Sequence, residues 1–170
     1  LPLFLHDLEV NEVIPSMPGC KRWSLDGMVN EAGEALSVGV TAVVLFPAID
    51  HSLKTKRGEE CFNREGLVQR AIRALKSAYP ELVVMTDVAL DPYSIDGHDG
   101  ILEEGEVLND ETVEILCKQA VSQAEAGADI IAPSDMMDGR IGALRGALDT
   151  AGYQKVSICS YTAKYASAYY

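Results

Sequence analysis

The chain has few basic residues and no long apolar run, and these two shortages exclude several classes of protein. Lysine and arginine number 14 against 26 aspartate and glutamate residues, which gives a formal net charge of −12. Nucleic acids and anionic membrane surfaces need basic patches, so we expect neither as a partner. No apolar run approaches the ~18 residues of a membrane-spanning helix, and no signal peptide opens the sequence.

Paired cysteines and nucleotide-binding glycine motifs are missing too. The four cysteines (Cys20, Cys61, Cys117 and Cys159) lie dozens of residues apart without a Cys-x-x-Cys pair. This spacing predicts reduced thiols, mostly in the core, in a reducing compartment. The first predicted strand is not followed by G-x-G-x-x-G, and G-x-x-x-x-G-K-[ST] does not occur, so no nucleotide-binding fingerprint is present.

What the chain does contain is a regular alternation of short apolar runs with helical patterns. The runs are typical of parallel strands covered on both faces; they span residues 3–6, 42–46, 82–88, 129–132 and 156–161. Ser24 is the expected N-cap of one helix, and Asn109 that of another, which stops at Gly127. The predicted apolar stripe of this second helix is Val113, Leu116, Cys117, Ala120, Val121 and Ala124. The alternation predicts an α/β fold with a parallel sheet.

Polar side chains stand where three successive predicted strands end. Asp87 lies at the third strand end, Ser134 and Asp135 follow the fourth, and Lys164 follows the fifth. Such convergence favours a (β/α)8 TIM barrel, whose chemistry lies at the carboxyl ends of the strands. About five β/α units fit into 170 residues, whereas eight usually need ~250. We therefore expect residues 1–170 to be one incomplete barrel domain without its closing strands.

Lys164 is the candidate nucleophile. It lies just past a strand end, close in sequence to Tyr161 and Tyr165. Desolvation there disfavours the ammonium form, and a neutral amine can attack a ketone to form a Schiff base. From this window alone, an ordinary lysine whose charged end reaches into water is the alternative.

Several motifs together resemble those of 5-aminolevulinate dehydratase (porphobilinogen synthase), in family order over essentially the whole chain. They are SMPG at 16–19, DVALDPY at 87–93 with GHDG at 97–100, NDETVE at 109–114, APSDMMDGR at 132–140 and YTAKYAS at 161–167. The resemblance implies a lyase that condenses two 5-aminolevulinate molecules into porphobilinogen, in heme and chlorophyll biosynthesis, without an organic cofactor. It also implies a homo-octamer assembled through an N-terminal arm.

The resemblance makes Lys164 the first of two Schiff-base lysines. The second, in a Lys-Pro-Gly motif, does not occur in the sequence, nor do the arginines of the family's lid, so we expect both beyond residue 170. The segment from Asp87 to Asp99 is similar to that of plant, algal and some bacterial members. It predicts a plastid-type organelle, or the cytoplasm if the source is bacterial.

Zinc-dependent members of the family carry three cysteines at the positions of Ala89, Asp91 and Asp99. A methyl group and two carboxylates argue against zinc and permit magnesium, which prefers oxygen ligands. The same two carboxylates can instead bind a substrate ammonium group directly, and simple turn formation is the third reading. A separate allosteric magnesium site is implied by the resemblance, with ligands past residue 170.

Asp87 is the first candidate for acid–base chemistry, ahead of Asp135 and Tyr161. Ser134, Asp135 and Tyr161 are expected to bind substrate together with Asp91 and Asp99. The alternative for Asp135 is a turn or capping role before a helix that begins near Arg140. Further expectations are an exposed loop over 103–106, packing roles for Met136 and Met137, and a turn role for His98.

Two other functions remain open from the sequence. Another Schiff-base barrel enzyme, such as an aldolase, would also place a lysine at a strand end, but it would need neither a second lysine nor the segment from Ala89 to Asp99. A non-catalytic or assembly role would follow if the intact gene product ended at Tyr170. The sequence after Tyr170 distinguishes these alternatives.

Overall fold

The computed structural model describes residues 1–168 and is built around one sheet of seven strands. Its strands and those of a separate hairpin are β1 (Pro2–Leu5), β2 (Glu12–Val13), β3 (Lys21–Trp23), β4 (Ala42–Pro47), β5 (Val83–Val88), β6 (Ile101–Glu103), β7 (Glu106–Leu108), β8 (Ile130–Pro133) and β9 (Ser157–Ile158). The sheet order is β2-β3-β1-β4-β5-β8-β9, and every neighbouring pair is parallel except β2 with β3. The α/β prediction with a mostly parallel sheet is confirmed.

Helices connect the parallel strands: α1 (Leu25–Ser37), α2 (Leu67–Ala78), α3 (Asn109–Ala126) and α4 (Arg140–Thr150). Ser24 begins α1 as predicted, because its hydroxyl accepts a hydrogen bond of 3.1 Å from the amide of Gly27. Gly127 ends α3 as predicted, in the left-handed conformation with φ of 112°. After each helix, the chain therefore begins the next strand at the same end of the sheet.

The two faces of the sheet differ in burial. One face packs into a core with the helices through alternate residues of each strand, such as Leu5, Leu45 and Val84. The residues between them, including Phe46 and Asp87, are only half-buried. The expectation that strands are covered on both faces is therefore wrong for residues 1–168, because within this range the helices cover one face.

The five predicted strands correspond to β1, β4, β5, β8 and β9, while β2, β3 and the β6–β7 hairpin were not predicted. Residues 103–106 are exposed as expected, and they form the turn of the β6–β7 hairpin. Glu104 and Gly105 both adopt positive φ, 49° and 87°, the conformation that a two-residue hairpin turn requires. β9 contains two residues rather than the predicted six.

The start and the buried face of α3 also differ from expectation. Leu108 occupies the N-cap position, and Asn109 is the first helical residue. The side chain of Asn109 instead bonds the backbone of Asp138, at 2.8 Å to the amide and 3.2 Å to the carbonyl. Val113, Cys117 and Val121 of the predicted stripe are only partly buried, and the buried face carries the polar residues Thr112, Gln119, Ser122 and Gln123.

All four cysteines are free thiols, but only Cys61 lies fully in the core. Cys159 is exposed, so the expectation of mostly buried thiols is wrong. Within residues 1–168, no helix combines the length and apolar character needed to cross a bilayer.

Candidate functional site

The carboxyl ends of β5, β8 and β9 bring the predicted polar residues to one edge of the sheet. In the pairing of β5 with β8, Asp87 stands opposite Ala132. β8 ends at Pro133, so Ser134 is the first residue after it and lies at the same end of the sheet as Asp87. The amide of Tyr161 lies 3.4 Å from the carbonyl of Pro133, which keeps the segment after β9 beside this loop. Asp87 and Lys164 are 77 positions apart in the sequence, yet both lie at the carboxyl ends of these strands, which we call the rim.

Two adjoining cavities open at this rim. The larger has a volume of about 480 Å³ and is lined by Phe46, Asp87, Asp91, Gly97, His98, Asp99, Ser134, Met136 and Lys164. The smaller has a volume of about 270 Å³ and is lined by Ser134, Asp135, Met136, Arg140, Tyr161, Thr162, Ala163 and Lys164. All the predicted site residues line one cavity or the other, and Lys164 lines both.

Lys164 reaches across the larger cavity to an acidic partner. Its Nζ donates a hydrogen bond of 3.1 Å to Oδ2 of Asp99, and the two side chains are 28% and 15% exposed. This ion pair favours the ammonium form of the lysine. A group that displaces Lys164 from Asp99 would therefore promote loss of its proton.

Asp87 has the carboxyl group best suited to proton transfer. Its pKa is raised to about 7: burial is the largest cause and the charges of Asp91 and Asp99 add to it, while a hydrogen bond from Ser134 and the charge of Lys164 act in the opposite direction. Its Oδ1 atom is buried without a hydrogen-bond partner among the described residues. A carboxyl group with this pKa can accept and return a proton near neutral pH.

Asp91 and Asp99 form an acidic pair at the mouth of the larger cavity. Asp91 is exposed as a residue, yet its carboxyl group is partly buried in the cavity. This loss of hydration raises its pKa, and the charge of Asp99 raises it further. Among residues 1–168 no three His, Cys, Asp or Glu side chains are grouped so that they could hold a metal ion. Asp99 pairs with Lys164 in this arrangement, and magnesium binding by Asp91 and Asp99 stays a prediction.

Asp135 lies beneath the smaller cavity. The residue is 1% exposed, and its Oδ2 accepts a hydrogen bond of 2.9 Å from the amide of Met137, as the turn reading predicted. Burial raises its pKa, while the Met137 amide and the charge of Arg140 lower it. Its predicted contact with substrate stays a prediction.

Polar side chains of α3 support the strand end that carries Asp87. Gln123 donates a hydrogen bond of 3.1 Å to the carbonyl of Asp87 and accepts one of 2.8 Å from Thr86. Gln119 contacts the carbonyl of Ala89 at 3.4 Å. Sequence reasoning missed this support, although two glutamines four positions apart on one helix were a usable signal.

Phe46 and Arg140 are further rim residues that were not predicted as part of the site. Met137 is buried as expected, but Met136 is 55% exposed and lines both cavities, so its predicted packing role is wrong. The turn role of His98 is confirmed, because its Nδ1 accepts a hydrogen bond of 2.9 Å from the amide of Gly100.

Known proteins resemble the chain along its whole length. The family model described as delta-aminolevulinic acid dehydratase matches residues 1–170. The chloroplastic delta-aminolevulinic acid dehydratase of Selaginella martensii is 61% identical over 173 residues, which cover 100% of this chain and 41% of the relative. The corresponding protein of Chlamydomonas reinhardtii is 58% identical over 174 residues, covering 100% and 44%.

A solved structure agrees with these sequence relatives. The crystal structure of porphobilinogen synthase from Toxoplasma gondii ME49, in complex with its reaction product porphobilinogen, superposes with a TM-score of 0.97 at 52% identity. The match covers 99% of this chain and 49% of that one. The chain therefore spans less than half the length of the relatives it matches.

Proposed function

This chain belongs to the delta-aminolevulinic acid dehydratase family, and we propose that the full-length protein condenses two molecules of 5-aminolevulinate into porphobilinogen, with loss of two water molecules. One observation carries the proposal: the Lys164 amine lies in a cavity with Asp87, Asp91 and Asp99, in a chain that matches the family from end to end. Such a reaction places the protein in tetrapyrrole biosynthesis.

The full-length fold in this proposal is a closed (β/α)8 barrel, of which residues 1–170 supply about the first five units within a single domain. The half-exposed sheet face, with Phe46 and Asp87, would then be the barrel interior. β9 would be the edge to which the remaining strands add. Support comes from the parallel order of the central strands and from the rim position of the polar residues.

The first chemical step in this proposal is attack of the Lys164 amine on the ketone carbon of one substrate. The C–N bond forms, the carbonyl oxygen leaves as water, and the product is a Schiff base that is a better electrophile than the ketone. Asp87 is placed to take the proton released by the amine and to return one to the departing hydroxyl. A second lysine, expected beyond residue 170, would bind the other substrate.

The ion pair between Lys164 and Asp99 gives the substrate a role in this activation. The ammonium group of a 5-aminolevulinate molecule would bind Asp91 and Asp99 and replace the lysine as their cationic partner. Lys164 then loses the interaction that favours its charged form. Ser134 and Tyr161, which line the smaller cavity together with Lys164, supply hydroxyl groups to orient the substrate.

The compartment and the assembly are proposals that family membership supports. The chloroplastic relatives support a plastid location, with the bacterial cytoplasm as the alternative. We propose a homo-octamer, consistent with the resemblance described above.

The test uses the full-length protein with 5-aminolevulinate as the sole substrate. Light scattering should give the mass of an octamer, and NMR of the reaction mixture should show porphobilinogen at one molecule per two substrates consumed. An aldolase would instead need a second carbonyl compound and form no pyrrole. A non-catalytic protein would leave 5-aminolevulinate unchanged, and either result would contradict the proposed function.

Substitution of Asp99 tests how the substrate ammonium is bound. We expect Asp99→Ala to raise KM by about 10- to 100-fold at every magnesium concentration, because a charged hydrogen bond contributes about 1.5–3 kcal/mol. Chelation of divalent ions should lower wild-type activity only in part. Asp96→Ala, at an exposed position in the same loop, is the control and should leave KM unchanged. Complete loss of activity on chelation, restored only by zinc, would contradict this binding mode.

A further inference from the structure

We propose that Arg140 is a positioning residue for Lys164, which fastens the segment after β9 to the loop after β8. The proposal rests on the proposed function, because it concerns the lysine that forms the Schiff base. Arg140 begins α4 and borders the smaller cavity.

The guanidinium group of Arg140 connects two loops through their backbones. Its Nη1 donates a hydrogen bond of 3.1 Å to the carbonyl of Met137, in the loop after β8. Its Nη2 donates one of 3.0 Å to the carbonyl of Tyr161, in the segment after β9. Tyr161 precedes Lys164 by three residues, so the bond lies close to the nucleophile along the chain.

The lysine segment has little regular structure of its own. β9 ends at Ile158, and residues 159–167 adopt neither helix nor strand. Backbone bonds to β8 are made by Cys159, at 2.9 Å, and more weakly by Tyr161, at 3.4 Å. The Arg140 bond to Tyr161 and the Lys164 bond to Asp99 also hold the segment at the cleft. Arg140 therefore restricts the positions that the Lys164 amine can occupy after a substrate ammonium group has replaced it as the partner of Asp99.

Asp135 holds the guanidinium in place. Its Oδ1 lies 3.1 Å from Nε of Arg140, as an ion pair rather than a well-directed hydrogen bond, and its side chain is fully buried while that of Arg140 is 16% exposed. A buried arginine without its counter-charge is strongly disfavoured, so the two residues depend on each other. The burial of Asp135 favours an action through Arg140 over a direct contact with substrate.

An arginine is needed here because of the shape of its charged group. The planar fork presents donors in three directions, toward Asp135 and toward the carbonyls of Met137 and Tyr161. A lysine can neutralise Asp135 but cannot span all three acceptors. Arg140→Lys therefore keeps the charge and removes the connection between the loops.

The experiment compares Arg140→Lys with Arg145→Lys in the full-length protein. Arg145 lies on the same helix and also bonds backbone carbonyls, of Val156 at 2.7 Å and Tyr153 at 3.0 Å, but these precede β9 and lie away from the cavities. We expect Arg140→Lys to lower kcat by about 10- to 100-fold, because small displacements of a reacting group are costly. KM should stay within about threefold, and Arg145→Lys should keep the wild-type kcat.

Borohydride trapping with 5-aminolevulinate separates positioning from general destabilisation. In Arg140→Lys the rate of adduct formation on Lys164 should fall in proportion to kcat. The fraction of active sites that carry an adduct at the end of the reaction should equal that of the wild type. If only that fraction falls, with a normal rate for the sites that react, the role is structural and the proposal is wrong. Equal behaviour of the two arginine variants would overturn it as well.

A second variant, Asp135→Asn, keeps the inference testable if Arg140→Lys does not fold. The amide retains an acceptor for Met137 but loses the charge that holds Arg140. Its loss of kcat should resemble that of Arg140→Lys, and where both fold, the double variant should be no worse than the stronger single one. A rise in KM would indicate that Asp135 contacts the substrate, and so would a double variant whose loss of kcat is the product of the two single losses. Either result would refute the positioning role. Absence of an adduct on any lysine in the wild type would instead refute the proposed function.

Discussion

Replacing Lys164 by alanine in the full-length protein is expected to lower the rate of porphobilinogen formation by roughly 10⁴-fold or more. The substitution removes the amine that forms the covalent intermediate, and loss of a nucleophile that works with other groups has effects of this size. The fold should survive, because the ion pair with Asp99 is partly exposed and contributes about 0–1 kcal/mol. Steady-state rates, the thermal unfolding midpoint and the mass by light scattering are the measurements.

Chemical trapping identifies the residue that reacts. With the wild type, borohydride and 5-aminolevulinate should leave a mass adduct on Lys164, on the lysine expected downstream, or on both. Lys155→Ala is the matched control, because Lys155 is exposed and precedes β9 at the opposite end of the strand from the cavities. Near-wild-type turnover by Lys164→Ala would end the Schiff-base assignment.

The parts of the fold that local chemistry determines were predictable from the sequence. Ser24 begins a helix because its hydroxyl satisfies the amide of Gly27, and Gly127 ends one because it adopts positive φ. The continuous apolar runs located the central strands, since few other structures bury such short segments. These features need only neighbouring residues, which the sequence displays directly.

The failures lie where distant residues compete with local preference. Asn109 was expected to cap α3, but its side chain bonds Asp138, 29 residues away, and that partner is visible only in the fold. Gln119 and Gln123 are buried because carbonyls near Asp87 offer partners, which hydrophobic periodicity does not anticipate. The β6–β7 hairpin was missed because its strands are only three residues each.

In the candidate site, too, the sequence revealed which residues belong to it but not the contacts between distant residues. Strand ends indicated Asp87, Ser134 and Lys164, because parallel strands place their carboxyl ends together. The role of Arg140 depends on its position between Met137 and Tyr161, and the sequence motif gave no sign that the side chain connects two loops. The acidic pair was identified through resemblance, whereas its contact with Lys164 is a three-dimensional result.

Replacing Asp87 by asparagine is expected to lower kcat by roughly 10²- to 10⁴-fold, the range for loss of a general acid–base group. Because burial raises the pKa of Asp87 to about 7, the wild-type kcat/KM should rise with pH through neutrality as the carboxylate forms. An asparagine cannot ionise, so this rising limb should be absent from the variant. Rates measured across the neutral range provide the test, with Asp138→Asn, at an exposed position beyond the same strand ends, as the control.

The same substitution should make the protein more stable at alkaline pH, which separates catalysis from folding. The pKa of Asp87 is raised above its unfolded value, so the favourable contribution of its protonated form is present at acid pH and is lost as pH rises through about 7. Asp87→Asn avoids this loss, and its unfolding midpoint should exceed that of the wild type more at about pH 8 than at about pH 5. A rising limb that persists in Asp87→Asn would assign the titration to another group. A variant that is inactive and also less stable than the wild type at both pH values would give Asp87 a structural role instead.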